Sequence, residues 1–512
     1  MKKRIFCLLS LSILALSSCT EGGSNISSSS GSLNEPAPYR IRDYTLKVNQ
    51  TATIIPIGKD YPLDLTYEFA GDAISIFNQV IYIHQSDTVT NVKAYDKLGH
   101  VDEFVVSAPK DEYTSTRSEE ESEAWLSPLS GIKANIEHND FPKGIDMSTV
   151  QAIYDAGVVY YNASNQAEDV FRIIRDAGVN YVRLRLWNDP NNYADQGKVS
   201  YGGGGNDLST DLKMAYLAKK AGLKLYLDIH YSDFWADPSK QIFPKAWATL
   251  TTAEEVKNAI YDYTKSVLTA FDEVGALPDM VSLGNETTPG MLLQLPGPTN
   301  EELTGGEPGY TTGAYSAPNT IRGANKSKNF HDYIASANAA VKDVNDSILT
   351  MIHLAKGLSD PNYIIDYYNQ FNDINYDVIG LSAYPYYQGR PSVIKSGLTS
   401  IANAFSSKKI TLAETSYGYT FAKDALVSNI FDNGEVISGY PVSTLGQALM
   451  IKDLLEAVDS IENGYGLFYW EGAFIPAKGV GWADSRSKNS WANQALFTYD
   501  GHVLPSINVF ND

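Results

Sequence analysis

Helical stretches that stop at a glycine and turn at once into an apolar strand recur along this chain, and few folds accept that rhythm. At Ala177-Gly178-Val179 a segment with apolar residues at Val170, Ile173, Ile174 and Ala177 gives way to the strand Tyr181 to Leu186. At Ala221-Gly222-Leu223 a helix over Leu208 to Lys220 gives way to Leu225 to Ile229. Glycine adopts the left-handed backbone that closes a helix at little steric cost, so each site reads as the helix-to-strand turn of a βα repeat. Asn165, with Glu168 three residues on, has the form of a capping box and is expected to open the first helix. Further strands fall near Gly144-Ile145-Asp146, Met280 to Leu283, Ile348 to Ile352, Val378 to Leu381, Ile410 to Ala413 and Gly466 to Trp470, with helices such as Tyr333 to Val344 and Leu445 to Val458 in the gaps. Eight such units imply an α/β chain closed into a (β/α)8 barrel. The barrel segment, residues 126–512, exceeds the usual ~250 residues of that fold, so several loops are long. The Gly-, Pro- and Thr-rich stretch from Thr287 to Lys328 is one, and is expected to rim the face where the strands end.

What precedes the barrel has a different grammar. Residues 1–19 read as a lipoprotein signal: a basic Met1-Lys2-Lys3-Arg4, an apolar run too short to span a bilayer, then Leu16-Ser17-Ser18-Cys19. Cys19 is the expected lipidation site, which makes the protein an exported, membrane-anchored lipoprotein of the outer membrane or cell surface of a Gram-negative bacterium. A simple secretory signal is the other reading. Both cysteines lie within this segment, so a lipidated Cys19 leaves no thiol for a disulfide or a cysteine-ligated metal. Residues 20–38 are a flexible tether rich in Ser and Gly. Residues 39–110 alternate in short β-type runs such as Tyr44 to Val48 and Val80 to Ile83, as a small β-sandwich would, serving either as a spacer or as a carbohydrate-binding module. Residues 111–125 form an acidic linker containing Glu119-Glu120-Glu121. The formal charge of −20 argues against nucleic acid as a partner and suits a neutral ligand, although it also serves solubility alone.

Polar and aromatic groups cluster where the barrel strands end: Asp146, Arg183, Arg185, Asp228, His230, Asn285, Glu286, His353, Tyr384, Glu414 and Trp470, with Trp235 just beyond the third strand. In a packed α/β protein such groups need partners or a purpose. Glu286 and Glu414 end strands 4 and 7, across the mouth of a barrel. Two carboxyls flanking a glycosidic bond suffice to hydrolyse it, at a separation of about 5–5.5 Å for a retaining enzyme. Glu286 is assigned as general acid/base, its pKa raised by burial and by Glu414. Glu414 is assigned as nucleophile, kept ionised by Arg183 and Tyr384. Asp146, Arg183, Arg185, His230, Trp235, Asn285, His353, Tyr384 and Trp470 are the candidate substrate-binding residues. Alternatives stay open for two of them: His230 as a structural histidine or metal ligand, and Trp470 as barrel core. Glu471 reads as structural. The chemistry requires no cofactor and no metal.

Together these residues resemble the arabinogalactan endo-β-1,4-galactanases, glycoside hydrolase family 53. The motifs are Lys143 to Ser148, Val182 to Trp187, Asp228 to Pro238, Gly284-Asn285-Glu286, Met351-Ile352-His353, Ile379 to Ser382, Glu414-Thr415 and Tyr469-Trp470-Glu471. The resemblance runs from about Phe141 to Trp470 and implies a retaining barrel hydrolase of β-1,4-galactan, with the two glutamates in the roles above and a polysaccharide as its partner; separately, the protein is expected to be a monomer. Two motifs depart from the family: Ala383-Tyr384-Pro385-Tyr386-Tyr387-Gln388-Gly389 lacks its Trp and His, and Gly472 and Phe474 replace a Pro and a Trp. Some bacterial members bind a structural calcium after the nucleophile; here Phe421 to Ser428 offers only Asp424, so the calcium ligands are unmatched. The alternatives are a retaining hydrolase of mannan, xylan or cellulose, or an inactive surface glycan-binding lipoprotein.

Overall fold

The computed structural model describes residues 37–58, 64–111, 129, 131–190, 205–296, 321–483 and 487–511. Cys19, the tether at 20–36 and the acidic linker beyond Asp111 lie outside the described residues. Among the described residues no helix is long and apolar enough to cross a membrane.

The N-terminal strands build two small sheets. β1 (Tyr44–Thr45), β2 (Thr51–Thr53), β3 (Thr66–Phe69), β4 (Ile74–Phe77), β5 (Val80–Ile83), β6 (Thr88–Tyr95) and β7 (Val101–Ala108) pair in the orders β1-β7-β6-β3 and β2-β5-β4. Thr90, Val92 and Ala94 of β6 are buried while the residues between them are exposed, the period-two pattern of a sheet with one wet face. Tyr44, Ile54, Ile74, Ile81, Val92 and Phe104 from both sheets share one apolar core.

This unit is docked on the barrel. Gln85 bridges to Glu168, Phe77 stacks on Tyr216 with ring centroids 4.5 Å apart, and Arg172 Nη1 donates to Asp72 O at 2.8 Å.

Eight parallel strands then close on themselves. They are β8 (Lys143–Asp146), β9 (Tyr181–Leu186), β10 (Lys224–Ile229), β11 (Met280–Leu283), β14 (Leu349–Ala355), β15 (Val378–Ser382), β16 (Lys409–Thr415) and β17 (Gly464–Tyr469), in the closed order β10-β11-β14-β15-β16-β17-β8-β9. β12 (Gly290–Met291) and β13 (Gly323–Ala324) form an antiparallel pair at the base of the long loop after β11. Within that loop, residues 297–320 lie outside the described residues. The helices start where side chains can take up their free N–H groups: Asp207, Ser327 and Ser443 each accept from a backbone N–H three residues on, and Thr252 with Glu255 completes a capping box.

One helix start differs from the sequence expectation. Asn165 sits in a left-handed turn at φ 61°, and the helix runs Val170–Asp176 with Asp169 as N-cap, its carboxylate accepting from Phe171 N. Asn162 Oδ1 takes the N–H groups of Ser164 and Gln166, which holds the preceding residues in a turn, and Glu168 is spent on Asn162 and Arg172.

The floor of the barrel is apolar. Tyr181, Tyr226, Met280, Met351, Val378, Ala413 and Phe468 fill the interior as one cluster. Gly144 and Gly380 make room for it: a Cβ on Gly144 would lie 2.2 Å from a Phe468 ring carbon, and one on Gly380 2.3 Å from Met351 Sδ. Gly144→Ala therefore overpacks this layer and is expected to lower stability by about 1–3 kcal/mol, read as a lowered denaturant midpoint. An unchanged midpoint would mean that Phe468 moves freely.

Candidate active site

On most strands period two leads from the apolar floor to the mouth. On β9 the register Tyr181, Arg183, Arg185 replaces an aromatic ring by two cations. On β10 Tyr226 is followed by Asp228, on β14 Met351 by His353, and on β15 Val378 and Gly380 by Ser382. A polar layer thus sits directly on the plug, with the Tyr226 ring 5.5 Å beneath the Arg183 guanidinium.

Arg183 ties the layer together. It donates to Asp146 through Nη1, and through Nη2 to Asp228 Oδ2 at 2.6 Å, Glu414 Oε1 at 2.6 Å and Asn285 Oδ1 at 3.1 Å. Burial works against its charge, but Asp228, Glu414 and Asp146 outweigh that penalty and hold the proton firmly. Burial likewise opposes the Asp228 charge, yet Arg183 and His230 keep its carboxyl well below the usual range.

The two glutamates occupy unequal surroundings. Glu414 Oε1 accepts from Arg183 and Oε2 from the Tyr384 hydroxyl at 2.8 Å. Glu286 is more exposed, stands at φ 46° where the chain leaves β11, and accepts a hydrogen bond from Ser382 Oγ at 2.5 Å. A register shift between β15 and β16 sets Ser382 opposite Glu414, so one residue links the two strand ends. Burial and then the Glu414 charge push Glu286 well above the carboxylate range, and the Ser382 bond only partly offsets this. Burial raises Glu414 as well, to about 7, with Arg183 and the Tyr384 hydroxyl opposing the rise. Two interacting acids release protons in sequence, and this asymmetry makes Glu414 the first to ionise and Glu286 the proton holder.

Both histidines are neutral. Trp187 Nε1 and the Ala236 N–H both donate to His230 Nδ1, at 3.2 and 3.1 Å, so its proton is on Nε2, 3.3 Å from Asp228 Oδ2. Burial lowers His230, and pushes His353 down to about 3. His353 Nε2 lies 2.9 Å from Ser382 Oγ, and since Ser382 donates to Glu286, His353 donates to Ser382. Asn285 is braced at both ends, its Oδ1 on Arg183 and its Nδ2 on Ala236 O at 2.7 Å.

Tryptophans wall one side. Trp235 stacks on Trp482 at 4.6 Å, and Trp470 meets Trp491 at 4.3 Å and Trp235 at 6.0 Å. Arg185 supports this wall, its guanidinium 4.2 Å from the Trp235 ring centroid and paired with Glu471. The sequence-named residues Asp146, Arg183, Arg185, His230, Trp235, Asn285, Glu286, His353, Tyr384, Glu414 and Trp470 thus gather at one barrel end. Asp146, Arg185 and His353 are fully buried, beneath or behind the cleft. Ser382, Trp482 and Trp491 were not singled out from sequence as site residues. Trp482 and Trp491 follow the last strand in an aperiodic stretch, where their position in a strand-end loop is the only signal.

Asp228, His353 and Glu414 offer potential ligand atoms within 4.8 Å of one another. The Arg183 guanidinium already bonds both carboxylates, so a divalent ion would have to displace a buried cation. Asp424 Oδ1 caps the Leu426 N–H at 2.8 Å in a local turn.

Residues 142–510 match glycosyl hydrolase family 53. The chain belongs to this family. Among its relatives, an endo-beta-1,4-galactanase of Bacillus subtilis is 35% identical over 403 residues, covering 73% of this chain and 86% of the relative. An arabinogalactan endo-beta-1,4-galactanase of Cellvibrio japonicus is 30% identical over 384 residues, covering 73% and 91%. The GH53 catalytic domain of Ignisphaera aggregans superposes with a TM-score of 0.64 at 36% identity, over 75% of this chain and 98% of that one. The (β/α)8 barrel is therefore that of family 53, and the N-terminal sheets precede the matched span.

Because the Ser382 bond favours ionised Glu286, Ser382→Ala should raise the Glu286 pKa. An acid that works protonated then stays active to higher pH. The alkaline limb of the pH–activity profile is expected to move up while the acid limb, set by Glu414, stays in place. An alkaline limb that moves down would contradict the assignment.

Proposed function

We propose that this protein is a retaining endo-hydrolase of β-1,4-galactosyl linkages in galactan and type I arabinogalactan, working by double displacement. The observation that carries the reading is the pair of strand-end glutamates in unequal surroundings, inside a family 53 barrel whose relatives are named for this activity.

In this mechanism Glu286 protonates the glycosidic oxygen as Glu414 attacks the anomeric carbon, forming a glycosyl ester and releasing the leaving chain. Arg183 and Tyr384 hold the Glu414 carboxylate in line and disperse its charge. Glu286, now ionised, takes a proton from water as that water attacks the same carbon and the bond to Glu414 breaks, freeing its carboxylate, and the product leaves with its configuration retained. Trp482, the least buried of these tryptophans, offers an apolar face to a sugar ring, with Trp235, Trp470 and Trp491 packed around it. Asn285 retains one amide N–H beyond its bond to Ala236 O, placed for a sugar hydroxyl.

We also propose that the chain is exported and anchored through a lipid on Cys19, and works as a monomer. The basic, apolar and Leu16-Ser17-Ser18-Cys19 order of its first residues supports the anchor.

Linear β-1,4-galactan should yield short galacto-oligosaccharides, while mannan, xylan and cellulose should not be cut. Glu286→Gln is expected to lower kcat by ~10²–10⁴-fold, and Glu414→Ala to leave no measurable turnover. Tight galactan binding without new reducing ends from the wild type would replace this reading with that of a glycan-binding lipoprotein.

A further inference from the structure

A second constellation of nucleophilic and titratable groups lies far along the chain from the glutamates, where the β4–β5 hairpin meets the helices Val170–Asp176 and Leu208–Lys220. Ser75 Oγ is hydrogen-bonded to His84 Nε2, and His84 Nδ1 lies 2.5 Å from Asp169 Oδ2. All three are buried, at 4%, 5% and 4% exposure. Asp169 is fixed from its other side: Oδ1 accepts from Phe171 N at 2.9 Å and from the Tyr154 hydroxyl at 3.3 Å, while its own N–H donates to His84 O at 2.9 Å. The bond to Asp169 puts the imidazole proton on Nδ1 and leaves Nε2 to take the Ser75 proton. Hydroxyl, imidazole and carboxylate therefore stand in the order of nucleophile, base and orienting acid.

Docking alone accounts for the His84–Asp169 bond, which crosses from the β unit to the barrel. Ser75 belongs to the same unit as His84, and among the described residues its hydroxyl makes no hydrogen bond across the boundary. Ser75, His84 and Asp169 instead border a cavity of about 150 Å³ whose other walls include Phe69, Tyr216, Arg172 and Lys220. Two aromatic rings give an apolar lining, and Arg172, Lys220 and the Asp72 carboxylate paired with Arg172 give it charge.

We propose that Ser75, His84 and Asp169 form a second hydrolytic site, specific for small acyl esters of acetyl size. Ser75 Oγ attacks the ester carbonyl carbon as its proton passes to His84 Nε2. The carbon–oxygen bond to the alcohol breaks, and the alcohol leaves with the proton from His84. Water then attacks the acyl-serine, gives one proton to His84, and releases the carboxylic acid as the proton returns to Ser75. Arg172, whose Nε is held by Glu168 and whose Nη1 meets both the backbone oxygen and the carboxylate of Asp72, and Lys220 are the cations in the cavity wall.

The test uses the full-length protein with p-nitrophenyl acetate and, separately, a fluorophosphonate probe mapped by peptide mass. Expected are a covalent label on Ser75, loss of label and at least a ~10²-fold fall in ester hydrolysis in Ser75→Ala, and unchanged cleavage of galactan by that variant. Glu414→Ala should keep the esterase activity. If Ser75→Ala fails to fold, the site of labelling in the wild type decides alone. No label on Ser75, ester hydrolysis by Ser75→Ala at the wild-type rate, or loss of ester hydrolysis in Glu414→Ala would each overturn the proposal.

Discussion

One buried guanidinium organises this barrel. Arg183 reaches groups from β8, β10, β16 and the end of β11, and so joins strands that are not all neighbours in the sheet. Three carboxylates around one cation leave an excess of negative charge in a poorly solvated layer, and such a cluster relieves itself by retaining a proton. Which acid keeps it depends on geometry. Asp228 and Glu414 touch Arg183 directly, whereas the nearest hydrogen-bond donor to Glu286 is the neutral Ser382 hydroxyl. The proton therefore settles on Glu286. Removing Arg183 would leave several buried charges uncompensated, the kind of change that costs about 3–5 kcal/mol. Stability and acid–base asymmetry thus rest on the same group.

The layering along the strands makes this possible. An apolar plug of Tyr226, Phe468 and their neighbours seals the barrel from below and keeps the local dielectric low. Two residues further up, β8, β9, β10, β14 and β15 present polar side chains above the plug, and on β16 the register shift brings Glu414, next to the plug residue Ala413, into the same layer. The register shift at Ser382 and the left-handed backbone at Glu286 are local departures from regular geometry, and both occur where the two acids approach. Irregular backbone at such a point is consistent with strain retained for positioning.

Much of this was legible in the sequence. Gly178 and Gly222 marked helix-to-strand turns, and both take φ near +90°. The strand positions and the terminal polar residues followed from apolar runs that stop at Asp228, Glu286 and Glu414. What sequence did not reveal were features made by tertiary contact. The Asn165 cap failed because Asn162 captured the turn and left Asp169 to cap the helix. Ser382 became a partner of Glu286 only through a bulge that no period announces. Trp482 and Trp491 come from the stretch after the last strand and reach the site by packing on Trp235 and Trp470. Arg183 and Arg185 look alike in sequence, two residues apart on one face, yet one binds the acid cluster and the other pairs with Glu471 under a tryptophan.

The proposed division of labour between the glutamates has a direct chemical consequence: a covalent sugar on the Arg183-bound carboxylate. A 2-deoxy-2-fluoro-β-galactobiosyl donor with a reactive leaving group slows breakdown of that ester enough to map it by peptide mass spectrometry. The fluorosugar is expected on Glu414 and nowhere else. Attachment to Glu286, or turnover of the donor with no adduct and inversion at the anomeric carbon, would contradict it.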